Sequence, residues 1–171
     1  KNKVPMAALK TCLEGLGFSH VSTYIASGNV IAQSNKGAGQ VQAQIEKALP
    51  RSFKLDSKLI KVLVLSRRQL QGIIENKPEG FGEQPEKYLS DAIFLMGTEA
   101  AQVMPVFTPL EGVDRVWPGE GVIYSQRLIA LRTRSRLSRA ISTPAYQSMT
   151  IRSWGTTTKL LELLKDAGKA G

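Results

Sequence analysis

The sequence predicts an α+β protein built as two tandem βαββαβ units, the first lacking its leading strand in this chain. Three observations carry this. Helical-period stripes alternate with short β-rich runs along all 171 residues. The second half reads β-α-β-β-α-β plus a closing helix, and the first half reads α-β-β-α-β plus a closing helix, one strand short. That strand is expected before Lys1. Between the halves, Asn76–Asp91 (NKPEGFGEQPEKYLSD) is rich in Pro, Gly and charge and reads as a linker. The expected domains are therefore 1–75, a linker over 76–91, and 92–171.

The elements follow from local chemistry. Val4–Leu16 predicts a helix, with Pro5 in the first turn, where a missing N–H costs nothing, and Gly17 as the stop. Its stripe is Met6, Leu9, Leu13 and Leu16; Cys12 flanks it as core filler. Strands are expected near Val21–Ala26 and Asn29–Gln33, then a helix over Gly39–Leu49. Leu59–Leu65 (LIKVLVL) predicts a strand apolar on both faces, and Ser66 a cap for a helix over Arg67–Glu75. In the second half, Ala92–Met96 is a strand, and Thr98 caps a short helix limited by Pro105. Strands near Asp114–Trp117 and Val122–Gln126 flank the turn Pro118-Gly119-Glu120-Gly121. A helix near Ser135–Ile141, a strand over Met149–Ser153 and a helix over Thr156–Ala167 complete the set. This order is that of two ferredoxin-like split β-α-β units.

A chain this long buries roughly 70% of its unfolded surface and folds without disulfide or metal. Its single cysteine forms no intrachain disulfide and points to a reducing, cytoplasmic setting. No apolar run has membrane-span length, and no signal peptide is visible. The net charge of +9 favours an acidic partner: nucleic acid, a phosphorylated small molecule or an anionic surface.

Several chemistries are disfavoured. His20 is the only histidine and lies beside no nucleophile signature, so a Ser-His-Asp triad is not expected. One His and one Cys make a zinc site implausible, and no metal or cofactor is expected. There is no phosphate-binding P-loop, and Gly80-Phe81-Gly82 has no helix after it. Aromatic content is 6% and no RNP-type run occurs, which argues against an RNA-recognition-motif platform.

Cations stand where helix starts are already positive. A helix N-terminus carries roughly +0.5 charge and prefers Asp or Glu. Here Arg132, Arg134 and Arg136 surround the start of the Ser135 helix, and Lys159 follows Thr156 in the first turn of the last helix. N–H groups, hydroxyls and a cation together suit a phosphate or carboxylate. In the expected topology one sheet edge gathers Arg132, Arg134, Ser135, Arg136, Arg152, Thr156 and Lys159. A second candidate cluster is Asn2 and Lys3 with the turn Ser27-Gly28-Asn29, which is equally an ordinary hairpin signal.

The stretches KNKVPM, LGFSHVSTYIASGNV and MTIRSWGTTTKL resemble the bacterial domain-of-unknown-function family numbered 1697. The family's SGN corresponds to Ser27, Gly28 and Asn29. Its RSKL corresponds to Arg134–Leu137, with Arg136 in place of Lys. Its RNWNTVTKL corresponds to Arg152–Leu160, with Ser153 and Gly155 in place of Asn. The resemblance implies a two-part ferredoxin-like fold and no assigned activity. It also implies a Gly-rich segment ahead of Lys1, at the edge where SGN turns.

Three functional readings stand at this point. The leading one is a basic, non-catalytic module for an anion, with nucleic acid as the broadest case. The second is an enzyme acting on a phosphorylated or carboxylated small molecule, held by Arg and Lys and oriented by Asn29 or Ser27. The third is a scaffold or oligomer, marked by an exposed apolar face at Trp117 or Trp154. Oligomeric state is not legible.

Overall fold

The computed structural model describes residues 4–26, 28–55 and 61–169. Among the described residues it is a mixed α+β fold with five α-helices and two sheets. The chain divides into two compact units, Lys1–Arg68 with Leu160–Gly171, and Gln69–Lys159. The expected division differs. The C-terminal part of the last helix, with Leu161 buried, groups with the first unit.

In the first unit, α1 spans Met6–Gly15 and buries Leu9 and Leu13. Pro5 is its N-cap residue rather than its first helical one. Gly17 ends it in the left-handed region at φ +96, and the Phe18 amide reaches back to the Leu13 carbonyl. Strands β1 (Ser19–Tyr24) and β2 (Asn29–Gln33) pair antiparallel. The register steps from Ser19↔Gln33 to Ser22↔Ile31, a bulge, and His20 sits in it at φ +51. Helix α2 (Ala38–Ser52) lays Val41 on the Leu9, Leu13, Phe18 and Val21 core.

The strand expected over Leu59–Leu65 falls partly outside the described residues. Residues 61–66 join no sheet among the described residues. The Val62 amide bonds the Glu46 carboxylate at 3.2 Å instead of a neighbouring strand, while Val64 packs on the core.

Helix α3 covers Arg67–Glu75 as expected. The second unit holds a four-stranded sheet of β3 (Tyr88–Leu95), β4 (Asp114–Gly119), β5 (Val122–Leu128) and β6 (Met149–Ser153). Its order is β4-β5-β3-β6, and every pair is antiparallel. The short helix α4 (Ala100–Val103) is capped at Glu99, whose amide bonds the Gln102 side chain at 3.2 Å; Thr98 Oγ1 donates to the same oxygen. Helix α5 spans Trp154–Lys169. The helix expected near Ser135–Ile141 is not α-helical. Residues 129–148 form three short 3₁₀ stretches, Ile129–Arg134, Leu137–Ser142 and Pro144–Ser148. Seryl and threonyl side chains bond their own turns here, and Pro144 forbids continuation.

Both sheet faces are covered. One carries Ile93, Ile123 and Met149 against α4, Phe107, Leu137 and Ala140. The other carries Trp117 and Tyr124, and its cover is the segment 76–87. That segment is no open linker. Phe81 is 1% exposed and meets Trp117, Tyr124 and Trp154 edge-on at centroid distances of 5.8, 5.4 and 5.0 Å. The Tyr124 hydroxyl donates to the Ile73 carbonyl, so burial raises the phenol pKa while the proton is kept. The Pro and Gly residues shape turns that deliver one aromatic plug.

Gly82 stands at φ +77 with the Trp154 indole against its Cα, so a side chain there meets both strain and the ring. Gly82→Ala is expected to destabilise the protein by more than about 1 kcal/mol. Phe81→Ala is expected to cost about 3–5 kcal/mol. Denaturant unfolding followed by tryptophan fluorescence checks both.

Candidate functional site

The site is built by strand direction. Strands β5 and β6 are each antiparallel to β3, so they run the same way and end at the same side of the sheet. The 3₁₀ segment leaves β5 there, and α5 leaves β6. This end gathers the polar side chains of the helix-covered face. Asp91 is paired with Ser125 on one side and Ser153 on the other. Arg127 is paired with Asp114 and Leu89. Alternation puts Asp91, Asp114, Ser125, Arg127 and Ser153 on one face.

Asp114 is 4% exposed. Its Oδ2 accepts the Arg136 amide at 2.8 Å and the Leu110 amide at 3.0 Å. Burial alone would raise its pKa. The Arg136 amide, the Ser135 hydroxyl, the Leu110 amide and the Arg127 guanidinium outweigh that, and the carboxyl lies below its ordinary 3.8. Asp91 goes the other way: burial pushes its carboxyl up, and Arg127 pulls it only partly back. Two carboxylates flank one guanidinium with opposite shifts.

The arginines hang from this frame. Arg132 and Arg134 are exposed, and Arg132 Nη1 donates to the Ile129 carbonyl at 3.3 Å. Arg136 is half-buried, its amide tied to Asp114. Ser135 Oγ accepts the Leu137 amide at 3.3 Å. Arg139 is exposed on the next stretch. Arg152 leaves this group. It pairs with Ala92 and so lies on the opposite, aromatic-covered face, donating to the Ile151 carbonyl at 2.8 Å; burial lowers its pKa, with Tyr146 opposing.

The hydroxyls of α5 serve the helix itself. Ser153 Oγ accepts the Thr156 amide at 3.2 Å and donates to Thr156 Oγ1 at 3.0 Å. Thr157, fully buried, donates to the Ser153 carbonyl at 2.9 Å, and Thr158 to the Trp154 carbonyl at 3.1 Å. Lys159 is half-buried and has a partner of its own. The expected joint anion site at two helix starts is therefore not assembled as expected: one helix is 3₁₀, and the other is capped from within.

Of the second cluster, Asn2, Lys3 and Ser27 lie outside the described residues. Asn29 is 7% exposed, and its Nδ2 donates to the Tyr24 carbonyl at 3.0 Å, closing the hairpin that Gly28 helps turn. Its role there is architectural. An open depression in the same unit is lined by Ser19, Ala32, Gln33, Ser34 and Asn35, none charged. No cluster of metal-ligating side chains occurs among the described residues.

Residues 1–124 match the family described as protein of unknown function, DUF1697. The chain belongs to that family. The match includes the hairpin and β3 but ends inside β5, ahead of the arginine segment. The chain is also similar to the structure of the conserved bacterial protein SP0830 from Streptococcus pneumoniae. The identity is 25% and the TM-score 0.73, covering 96% of this chain and 91% of that one. None of the curated proteins matches it.

In this DUF1697 chain, Arg132, Arg134, Ser135 and Arg136, expected at one sheet edge, all lie in the segment that follows β5. Sequence reasoning missed Asp91, Asp114 and Arg127. The signal for all three was a charge at the inward parity of an otherwise apolar strand.

Asp114→Asn is expected to cost about 1–3 kcal/mol at neutral pH, since it weakens charge-assisted bonds to two amides. The Asp114 pKa is lowered by folding, so its stabilisation is present above 3.8 and is lost as pH falls through the folded value. Wild type and variant should therefore converge in acid. Asp91→Asn is expected to do the reverse. A raised pKa means the charged form is disfavoured in the fold, so the variant gains stability at neutral pH, and the gain vanishes in acid. Thermal melts from neutral pH to about pH 3 read both effects.

Proposed function

We propose that the protein binds a polyanion, most broadly a nucleic acid, through the arginine segment that follows β5. The observation that carries this is the state of its cations. Arg132, Arg134 and Arg139 are exposed, and no carboxylate among the described residues lies within ion-pair distance of them. The sequence around them is one-sided. Between Gly121 and Leu161 there are six arginines, one lysine and no Asp or Glu, within a chain of net charge +9. Guanidinium groups are weakly hydrated and bond phosphate oxygens in pairs, which suits them to this partner.

The covered sheet supports a loop-borne mode rather than base stacking on strands. Trp154 is 8% exposed, and Trp117 lies half-buried under the Arg115 guanidinium at 4.6 Å, so neither marks an apolar docking face. The enzyme reading has one observation in its favour: Asp91, a half-buried carboxyl raised by burial at the same sheet end. We read the fold as two ferredoxin-like units. The β4-β5-β3-β6 order with all pairs antiparallel supports this in the second unit, and the β1-β2 hairpin between helices supports it in the first. A cytoplasmic setting fits the half-buried free Cys12; among the described residues no helix is long and apolar enough to cross a membrane.

The test is binding of a fluorescein-labelled single-stranded oligonucleotide, followed by anisotropy across salt concentrations. Affinity is expected to fall steeply, with a log–log slope of about −0.7 per phosphate contacted. Arg134→Ala is expected to weaken binding and flatten the slope by about one unit, with the melting temperature unchanged. A flat salt response, or an unaltered slope in Arg134→Ala and Arg132→Ala alike, overturns the proposal. Saturable binding of a small phosphorylated metabolite, abolished in Asp91→Asn, would favour the enzyme.

A further inference from the structure

We propose that Tyr146 is a stacking platform for an unpaired base, so that the arginine segment takes single-stranded rather than duplex nucleic acid. This platform deepens the polyanion reading and rests on it. Two of the four large apolar side chains exposed among the described residues belong to the segment: Ile141, 47% exposed, and Tyr146, 43% exposed. They stand between Arg139 and Arg152, in a stretch with no Asp or Glu from Gly121 to Leu161. A ring flanked by cations is the combination that single strands meet: the cations track the phosphates, and the ring takes the face of a base.

The ring is presented from a fixed turn. Ala140 is 3% exposed, and Ala145 packs on the same core. Thr143 Oγ1 donates to the Ala140 carbonyl at 2.6 Å, and the Tyr146 amide donates to the Thr143 carbonyl at 3.1 Å. The backbone under Tyr146 is thereby ordered before a ligand arrives, which lessens the entropy lost on binding. Tyr146 also acts on Arg152, holding its charge against burial, so a cation lies near the phenol. Arg139 is exposed on the preceding stretch. Two physical points choose the single strand. A base offers its π-face only when unstacked, and in a duplex its neighbours cover that face. Duplex readout calls for a helix or a two-stranded ribbon in a groove, and 3₁₀ stretches of at most six residues supply neither. An anionic membrane asks for a broad apolar face, which one tyrosine and one isoleucine do not make.

Anisotropy of a fluorescein-labelled oligothymidylate tests this, beside an abasic strand and a duplex of the same length. Wild type is expected to bind oligothymidylate at least about fivefold more tightly than the abasic strand, a comparison that needs no variant. Tyr146→Ala is expected to lose at least about fivefold on oligothymidylate and nothing on the abasic strand or the duplex. Its salt slope should be unchanged, because no charge is removed. Tyr146→Phe, which keeps the ring, is expected to bind as wild type does. Both variants should melt with wild type, since the side chain is exposed. Equal affinity of wild type for strands with and without bases overturns the platform and leaves the polyanion reading standing. So does an unaltered affinity in Tyr146→Ala, or a duplex held more tightly than oligothymidylate at equal salt. Salt-independent binding overturns both, as does binding to phosphatidylglycerol vesicles with none to oligothymidylate.

Discussion

A sheet buried on both faces leaves only its ends for polar chemistry, and the Phe81 plug is what buries the second face here. Without it, Tyr124, Trp117 and Trp154 would line an open aromatic surface. With it, three edge-on ring contacts close that surface, and the Tyr124 hydroxyl is committed to a backbone carbonyl. Each such contact is worth about 0.5–1.5 kcal/mol beyond area burial. Polar side chains that remain on the strands must then cluster where the strands stop. Asp91, Asp114, Ser125 and Arg127 do so at the end from which the 3₁₀ segment and α5 depart.

This arrangement changes what the misplaced cations mean. A cation near a helix start is unfavourable only if the helix has a developed dipole. The 3₁₀ stretches between Ile129 and Ser148 are at most six residues long, so the dipole there is small. The arginines oppose little in the backbone. Asp114 supplies the nearest buried negative charge, yet its bonds go to the backbone amides of Leu110 and Arg136 rather than to an arginine head group. It fixes the segment without neutralising it. The outer guanidiniums are left charged and in water.

Elements with one strong local cue were legible in the sequence. The stripe of Leu9 and Leu13 pointed to α1, the Ser66–Arg67 step to α3, the runs flanking the Pro118–Gly121 turn to β4 and β5, and the run Met149–Ser153 to β6. Elements that depend on distant partners were not. Leu59–Leu65 has strand chemistry, but a strand needs a neighbour, and nothing in seven residues says whether one is there. The Pro, Gly and charge of 76–91 read as a linker, whereas turns of that composition serve equally to aim a single Phe81 at a core. Ser135–Ile141 has helical spacing of Leu137 and Ile141, but Ser135, Ser138, Ser142 and Thr143 compete for the backbone, and only Leu137 and Ala140 bury. Of the site, the arginines were visible and their anchor was not, because Asp114 acts through backbone amides that no residue spacing displays.

The geometry of that segment bears on what kind of anion fits it. The arginines stand on a broken segment: Arg132 and Arg134 lie in the first 3₁₀ stretch, Ser135 is extended, and Arg136 precedes the second stretch. A point ligand such as a free phosphate asks for convergence: two or three donors on one spot, within a pocket that excludes water. Exposed guanidiniums such as those of Arg132 and Arg134 give little to such a ligand, since each exposed pair is worth under about 1 kcal/mol. An extended polyanion asks for the opposite. It presents a charge at every repeat, so separate cations can each meet a different phosphate, and the release of condensed counterions adds a gain that grows with the number met. Exposed arginines on such a segment are the feature on which the proposed polyanion reading rests. The bond from the Arg136 amide to the Asp114 carboxylate ties the segment's backbone to β4.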